Sequence, residues 1–246
     1  MLKNILVISK NEFKSILKSW INIISIICLI IVPIGMDSPL KDGSPWIVSS
    51  AAYVYNHGLV SIAMMFLPLV VCTVYYKDQI TKMPQIIFSQ PVTPKVYALG
   101  KFLGVYLYSL FIGVIGNIVN LFIPLYFKRP LYTPIVFLKA FFIYSVPSLL
   151  FIVALCYFID VFLNKKVFTI FIPFMFFLGT DHFFSNSSVS LRFRSEILGT
   201  LCSGKALIPD IRQYLLINRE LLIAFSLVLV FLSVLKFSPK QLTNKR

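Results

Sequence analysis

The chain of 246 residues is 58% hydrophobic and 13% charged, about half the charged fraction of an ordinary soluble domain. That balance excludes a soluble globular protein, which could not hide so much apolar surface. The net charge of +14, from 23 basic and 9 acidic residues, reads here as the Lys/Arg bias of cytoplasmic loops in a membrane protein and not as a nucleic-acid footprint.

The N-terminal stretch is patterned. Leu2, Ile5, Leu6, Phe13, Ile16, Leu17 and Trp20 recur mostly at helical spacing, and Lys10, Lys14 and Lys18 stand four apart on another face. Residues 1–19 are therefore predicted as an interfacial helix on the inner leaflet, lysines toward anionic headgroups, in preference to a frayed basic tail. At about twenty residues this stretch is too long for the n-region of a cleavable signal peptide.

A membrane span needs roughly 17–25 apolar residues. Six segments are read as hydrophobic: 20–36, 58–76, 99–126, 135–163, the short 167–180, and 221–237. With both ends inside, the cytoplasmic pieces are the N-terminal stretch, the 77–98 connector, the 160–166 turn and the tail. They hold most of the positive excess, which favours that orientation. Lys128 and Arg129 fall in a short outer turn, from which long side chains snorkel to headgroups. Segment 181–219 is the one sizeable outer piece. Its apolar patches, among them Ile197–Cys202 and Leu215–Ile217, are too short to span. They fit re-entrant or interfacial helices at the outer leaflet, or a surface loop with some core of its own.

The connector is amphipathic. Ile80, Met83 and Ile87 recur at helical spacing, with Asp78, Lys82 and Gln85 elsewhere around the turn, before "QPVTP" breaks the chain. An apolar edge facing the cytosol needs a partner. Farther on, "GVIGNIVN" places Gly113, Gly116, Asn117 and Asn120 on one helical stripe. Packing is the plainer reading, since small residues let helices approach and Asn bonds across the contact. A conduit lining or dimer face is the functional one. Pro147, between Ser145 and Ser148, predicts a kink in the fourth span.

Signs of chemistry are few. "GTLCSGKA" at 199–206 has the letters of a phosphate-binding loop, but Ala206 replaces the magnesium-binding hydroxyl and no apolar strand precedes it. Asp160 is the only acid identified near a span, at an inner end beside Lys165 and Lys166, and fits a topological or electrostatic role. His57 and His182 have no neighbouring ligand spacing, so no metal site is expected. Cys28, Cys72, Cys156 and Cys202 form no CxxC pair. No buried mid-span charge or catalytic cluster is apparent, which argues against the alternatives of a self-sufficient carrier or channel and of a membrane-embedded enzyme.

In layout the chain resembles the permease subunits of type-2 ATP-binding cassette exporters, whose connector carries an acid, an apolar pair, a proline, a hydroxyl and a final Gly-Lys. Here Asp78 matches the acid, Ile86 and Ile87 the apolar pair, Pro91 the proline, Thr93 the hydroxyl, and Gly100 with Lys101 the final pair. The family's Gly-Thr is missing, Pro84 interrupts the element, and Pro94 beside Lys95 stands in place of an Arg. The resemblance implies an all-α integral membrane protein forming one transmembrane domain over 1–246. It would have six transmembrane helices, the N-terminal interfacial helix and a cytoplasmic coupling helix between spans two and three. It implies that Asp78, Ile80, Lys82, Met83, Ile86, Ile87, Phe88 and Pro91 couple to a separate cytoplasmic ATPase. That partner would bind the ATP and magnesium, leaving this chain with no cofactor or catalytic residue of its own. It further implies a homodimer in the plasma membrane with both termini cytoplasmic, bound to no nucleic acid, exporting an amphiphilic peptide or lipid-like cargo.

Overall fold

The structure is a computed structural model, and it describes residues 2–35, 45–81, 93–126, 134–163, 165, 167–176 and 211–237. Of these, only Lys18, Ser19, Thr93, Lys165 and Phe237 lie outside helices.

Helix α1 spans Leu2–Leu17 and α2 spans Trp20–Gly35. The corner between them is closed by side chains. The Ser19 hydroxyl donates to the Ile16 carbonyl at 2.6 Å, and Asn22 Nδ2 donates to the Leu17 carbonyl at 3.1 Å. Those carbonyls belong to the last turn of α1, where the helix supplies no partner. Helix α3, Pro45–Thr81, has 37 residues. At 1.5 Å per residue that is about 55 Å, well beyond a hydrocarbon core of about 30 Å. Helix α4, Pro94–Tyr126, begins with proline in its first turn, where a missing N–H costs nothing. The Thr93 carbonyl accepts from the Tyr97 N–H at 3.1 Å.

The predicted fourth span is made of three pieces: α5 (Pro134–Ala140), a π-helical turn (Phe141–Ser145) and α6 (Val146–Leu163). The expected kink at Pro147 takes this form. Proline offers no N–H, and its ring crowds the carbonyl one turn back. The preceding turn is widened, and the Val146 N–H bonds the Phe141 carbonyl five residues earlier. Helix α7, Val167–Phe176, is short. Helix α8, Ile211–Lys236, starts ten residues before the predicted 221. Leu215–Ile217 of the predicted outer segment belong to the first turns of α8. Ile197–Cys202 lie outside the described residues.

Among the described residues, three helices are long and apolar enough to cross a membrane: Gly58–Asp78, Pro94–Val119 and Phe137–Leu163. The chain is a membrane-embedded helical protein. Its periphery is apolar as well as its core, as the exposed stripe Leu107, Phe111, Val114, Ile118 and Phe122 on α4 illustrates. Helix α3 holds the centre, touching α2, α4, α5, the π turn and α6, while α1 lies along α4 and α8 packs on α6. The shared core joins Val60, Leu67, Val71 and Tyr75 of α3 to Val105 and Tyr108 of α4 and to Ile152, Val153 and Tyr157 of α6.

Candidate functional site

Two buried polar clusters lie at opposite ends of α3. The first is centred on Lys101, about two turns into α4 and fully buried. Its ammonium contacts the Asp78 carboxylate from the end of α3, donates to the Val74 carbonyl at 3.1 Å, and stands 3.6 Å from Glu12 Oε1 of α1. The Tyr97 hydroxyl donates to the same Asp78 oxygen. The rings of Tyr75 and Tyr97 flank the ammonium at 5.1 and 5.2 Å. One cation thus ties three helices, in contact with Asp78 and the Val74 carbonyl and with Glu12 as a more distant ion-pair partner. Beside it, Lys77 Nζ donates to Ser15 Oγ at 2.7 Å, a second link from α3 to α1.

Close approach of α1 makes this geometry possible. A Cβ added at Gly100 would stand 2.8 Å from Ile8 Cβ, and one at Gly104 would stand 3.0 Å from the Ser9 carbonyl oxygen and 2.8 Å from Glu12 Cβ. Gly100 and Gly104, four apart on one face, let the two backbones cross nearly in contact. Phe13 packs edge-on to Phe111 at 5.7 Å farther along the same crossing.

The second cluster surrounds the π turn. Asn56 Oδ1 of α3 accepts from Ser145 Oγ at 2.7 Å and from Asn117 Nδ2 at 3.2 Å. Asn117 Nδ2 also donates to the Gly113 carbonyl at 2.9 Å. On the other side, Arg219 of α8 donates to Ser148 Oγ at 2.7 Å, and its guanidinium lies 4.3 Å from the Tyr144 ring centroid. Arg219 is 3% exposed. The sequence places it in the outer segment and identifies no charge at mid-span. Lys101 and Asp78 stand near the ends of their helices, and with Arg219 they are buried inside the bundle against protein groups.

The predicted site residues separate accordingly. Asp78 is 6% exposed and turned into the bundle, so its carboxylate serves an internal ion pair. Ile80 stands in the last turn of α3. Lys82, Met83, Ile86, Ile87, Phe88 and Pro91 lie outside the described residues. Gly113, Gly116 and Asn117 face inward, and Asn120 follows on the same helix. A Cβ at Gly113 would meet Phe141 Cε2 at 2.7 Å. Gly113 and Asn117 pack against neighbouring spans of their own chain. Asp160, taken as a topological residue, accepts from Thr169 Oγ1 at 3.0 Å and joins α6 to α7. Among the described residues no group of three or more His, Cys, Asp or Glu could hold a metal ion.

Sequence reasoning missed both clusters. The signal for the first was present in Lys101, just inside the predicted third span, and in Asp78, just past the predicted second one. Their meeting point depends on Glu12, far away in the chain. The sequence matches no protein-family model and no curated protein.

Proposed function

We propose that this chain is the membrane-spanning permease subunit of a type-2 ATP-binding cassette exporter. In this reading it has six spans and both termini in the cytoplasm, works as a homodimer in the plasma membrane, and moves an amphiphilic peptide or lipid-like cargo. A separate ATPase docked on the 77–98 connector supplies the energy. The observation that carries the proposal is the Lys101 cluster. The connector leaves α3 three residues after Asp78 and enters α4 at Pro94, so both of its ends are fastened to the same buried ion pair and, through Glu12 and Ser15, to α1. A push on such a connector moves three helices as one body, which a device that converts ATP hydrolysis into helix movement requires.

The test is made on the tagged chain, extracted from its native membrane in mild detergent. A magnesium-dependent ATPase is expected to co-elute. Ile87→Asp, which puts a charge on the predicted apolar contact, is expected to lose it while the permease still inserts and pairs. Asp78→Asn should act differently, by loosening the α3–α4 anchor with the docking edge intact. If Ile87→Asp retains the ATPase and its full turnover, the connector is not the docking element and the reading fails.

A further inference from the structure

The sides of α1 meet different surroundings. Ile5, Ser9 and Ile16 are buried where the helix lies on Gly100 and Gly104 of α4. At about 100° per residue, Lys3, Lys10 and Lys14 fall within roughly 40° of one another on nearly the opposite side. All three are exposed. Leu2, Leu6 and Phe13 stand on one flank between these sides, and Asn4, Asn11 and Ser15 on the other. Phe13 shows which flank meets hydrocarbon. Its ring packs on Phe111, which with Leu107 belongs to the exposed apolar stripe of α4. The lysine side therefore begins where the lipid-facing flank ends. There lysine stems lie along apolar surface and their ammonium groups reach headgroups. Trp20, exposed just past the α1–α2 corner, is of a residue type enriched at that level of a membrane. Lys10 and Lys14, one turn apart, repel each other, and among the described residues no carboxylate is paired with either. An anion between them removes that cost.

We infer that a phospholipid with a net negative headgroup binds the seam between α1 and α4. Its chain runs along Phe13, Leu107 and Phe111, and its phosphate lies on Lys10 and Lys14. The seam asks for both parts of such a molecule. A soluble acidic protein or a free anion would match the lysines and leave the Leu2–Leu6–Phe13 flank uncovered, and a zwitterionic lipid would cover the flank and leave the charge unmatched. The lipid meets a helix whose inner side carries Glu12 to Lys101 and Ser15 to Lys77, so this site lies on the outer side of the element that joins α3 and α4 at their ends. It does not rest on the permease reading, and its test needs no ATPase.

The chain carries its own probe. Its two tryptophans are Trp20 and Trp46, and Trp46→Phe leaves Trp20 beside the site. The full chain is reconstituted in phosphatidylcholine with acyl-brominated phosphatidylglycerol or acyl-brominated phosphatidylcholine at equal mole fraction, and quenching of Trp20 gives their relative association. The anionic lipid is expected to be preferred roughly fivefold, the factor for about 1 kcal/mol, the value of one lysine near a charged membrane surface. The preference should vanish in about 1 M salt, where the screening length falls to about 3 Å. Lys10→Gln combined with Lys14→Gln and Lys18→Gln should abolish it, while Lys139→Gln, at an exposed position on α5, should keep it. Equal quenching by the two lipids, a preference that persists in high salt or in the triple variant, or relief of the quenching by added inorganic phosphate would each overturn the site. The salt arm uses the parent lysines, so it decides the matter even if the triple variant does not fold.

Discussion

Lys101 is held by charge in a place that hydrophobicity would deny it. Taking an ammonium out of water costs several kcal/mol, and only close, fully bonded partners offset it. Asp78, the Val74 carbonyl, Glu12 and two tyrosine faces are those partners. Removing one side of such a pair leaves the other charge stranded. Lys101→Met is therefore expected to destabilise the chain by about 3 kcal/mol, near the lower end for breaking a buried pair because Glu12 is partly exposed. The double variant Lys101→Met with Asp78→Leu should recover most of that loss, since Glu12 at the rim is then the charge left in the cluster. Thermal unfolding in a fixed detergent, followed by size-exclusion chromatography, measures both. If the double variant is no more stable than the single, the pair is not the origin of the cost. None of this could be read from hydropathy, which scores Lys101 without its partners. The information lies in pairings across long stretches of chain, from Glu12 to Lys101 and from Asn56 to Ser145.

At the scale of elements, hydropathy and spacing gave the helices well and their ends poorly. The amphipathic pattern of 1–19 became α1, and the interrupted fourth span became α5, a π turn and α6, as Pro147 implied. Helix α8 begins ten residues before the apolar segment at 221–237. Arg219 and Glu220 look like the edge of a span when each residue is valued in isolation, yet the Arg219 guanidinium lies on Tyr144 and bonds Ser148 inside the bundle. The crossing of α1 over α4 was equally hidden, because a Gly100–Gly104 pair has meaning only when the helix that crosses it is known. Gly104→Val is expected to lift α1 off α4, because the added carbon meets the Ser9 backbone, which cannot turn aside as a side chain tip can. Overpacking of this kind costs about 1–3 kcal/mol. The variant should show faster hydrogen exchange along 2–17 than the parent, with exchange in α6 unchanged. Protection of α1 equal to the parent's would show that the crossing tolerates a wider spacing.

For the whole molecule, the proposed topology makes a claim that labelling can check. Both termini and Lys82 are expected to face the cytoplasm. In a background lacking the native thiols, a cysteine at 82 should react with a membrane-impermeant reagent only after the cells are opened, and one at 190 should react from outside. Of the native cysteines, Cys72 and Cys156 are buried in the bundle and Cys28 is partly buried, and changing each to Ala or Val should leave insertion intact. Labelling of residue 82 from outside intact cells would reverse the orientation and remove the connector from any cytoplasmic partner.

The Glu12–Lys101–Asp78 contact also sets an order of assembly during synthesis. The chain emerges N-terminus first, so α1 is made long before the helix it rests on. Asp78 precedes Lys101 by one connector, so the two charges meet at one end of the α3–α4 hairpin as soon as both helices are made. Glu12 can join only afterwards, when Gly100 and Gly104 offer α1 its seat. Nascent chains arrested before residue 94 should therefore expose α1 to added protease, and chains released beyond residue 126 should protect it. A translocating chain thus carries a built-in signal that its first hairpin has closed, read out by an N-terminal helix that stays accessible until the closure is made.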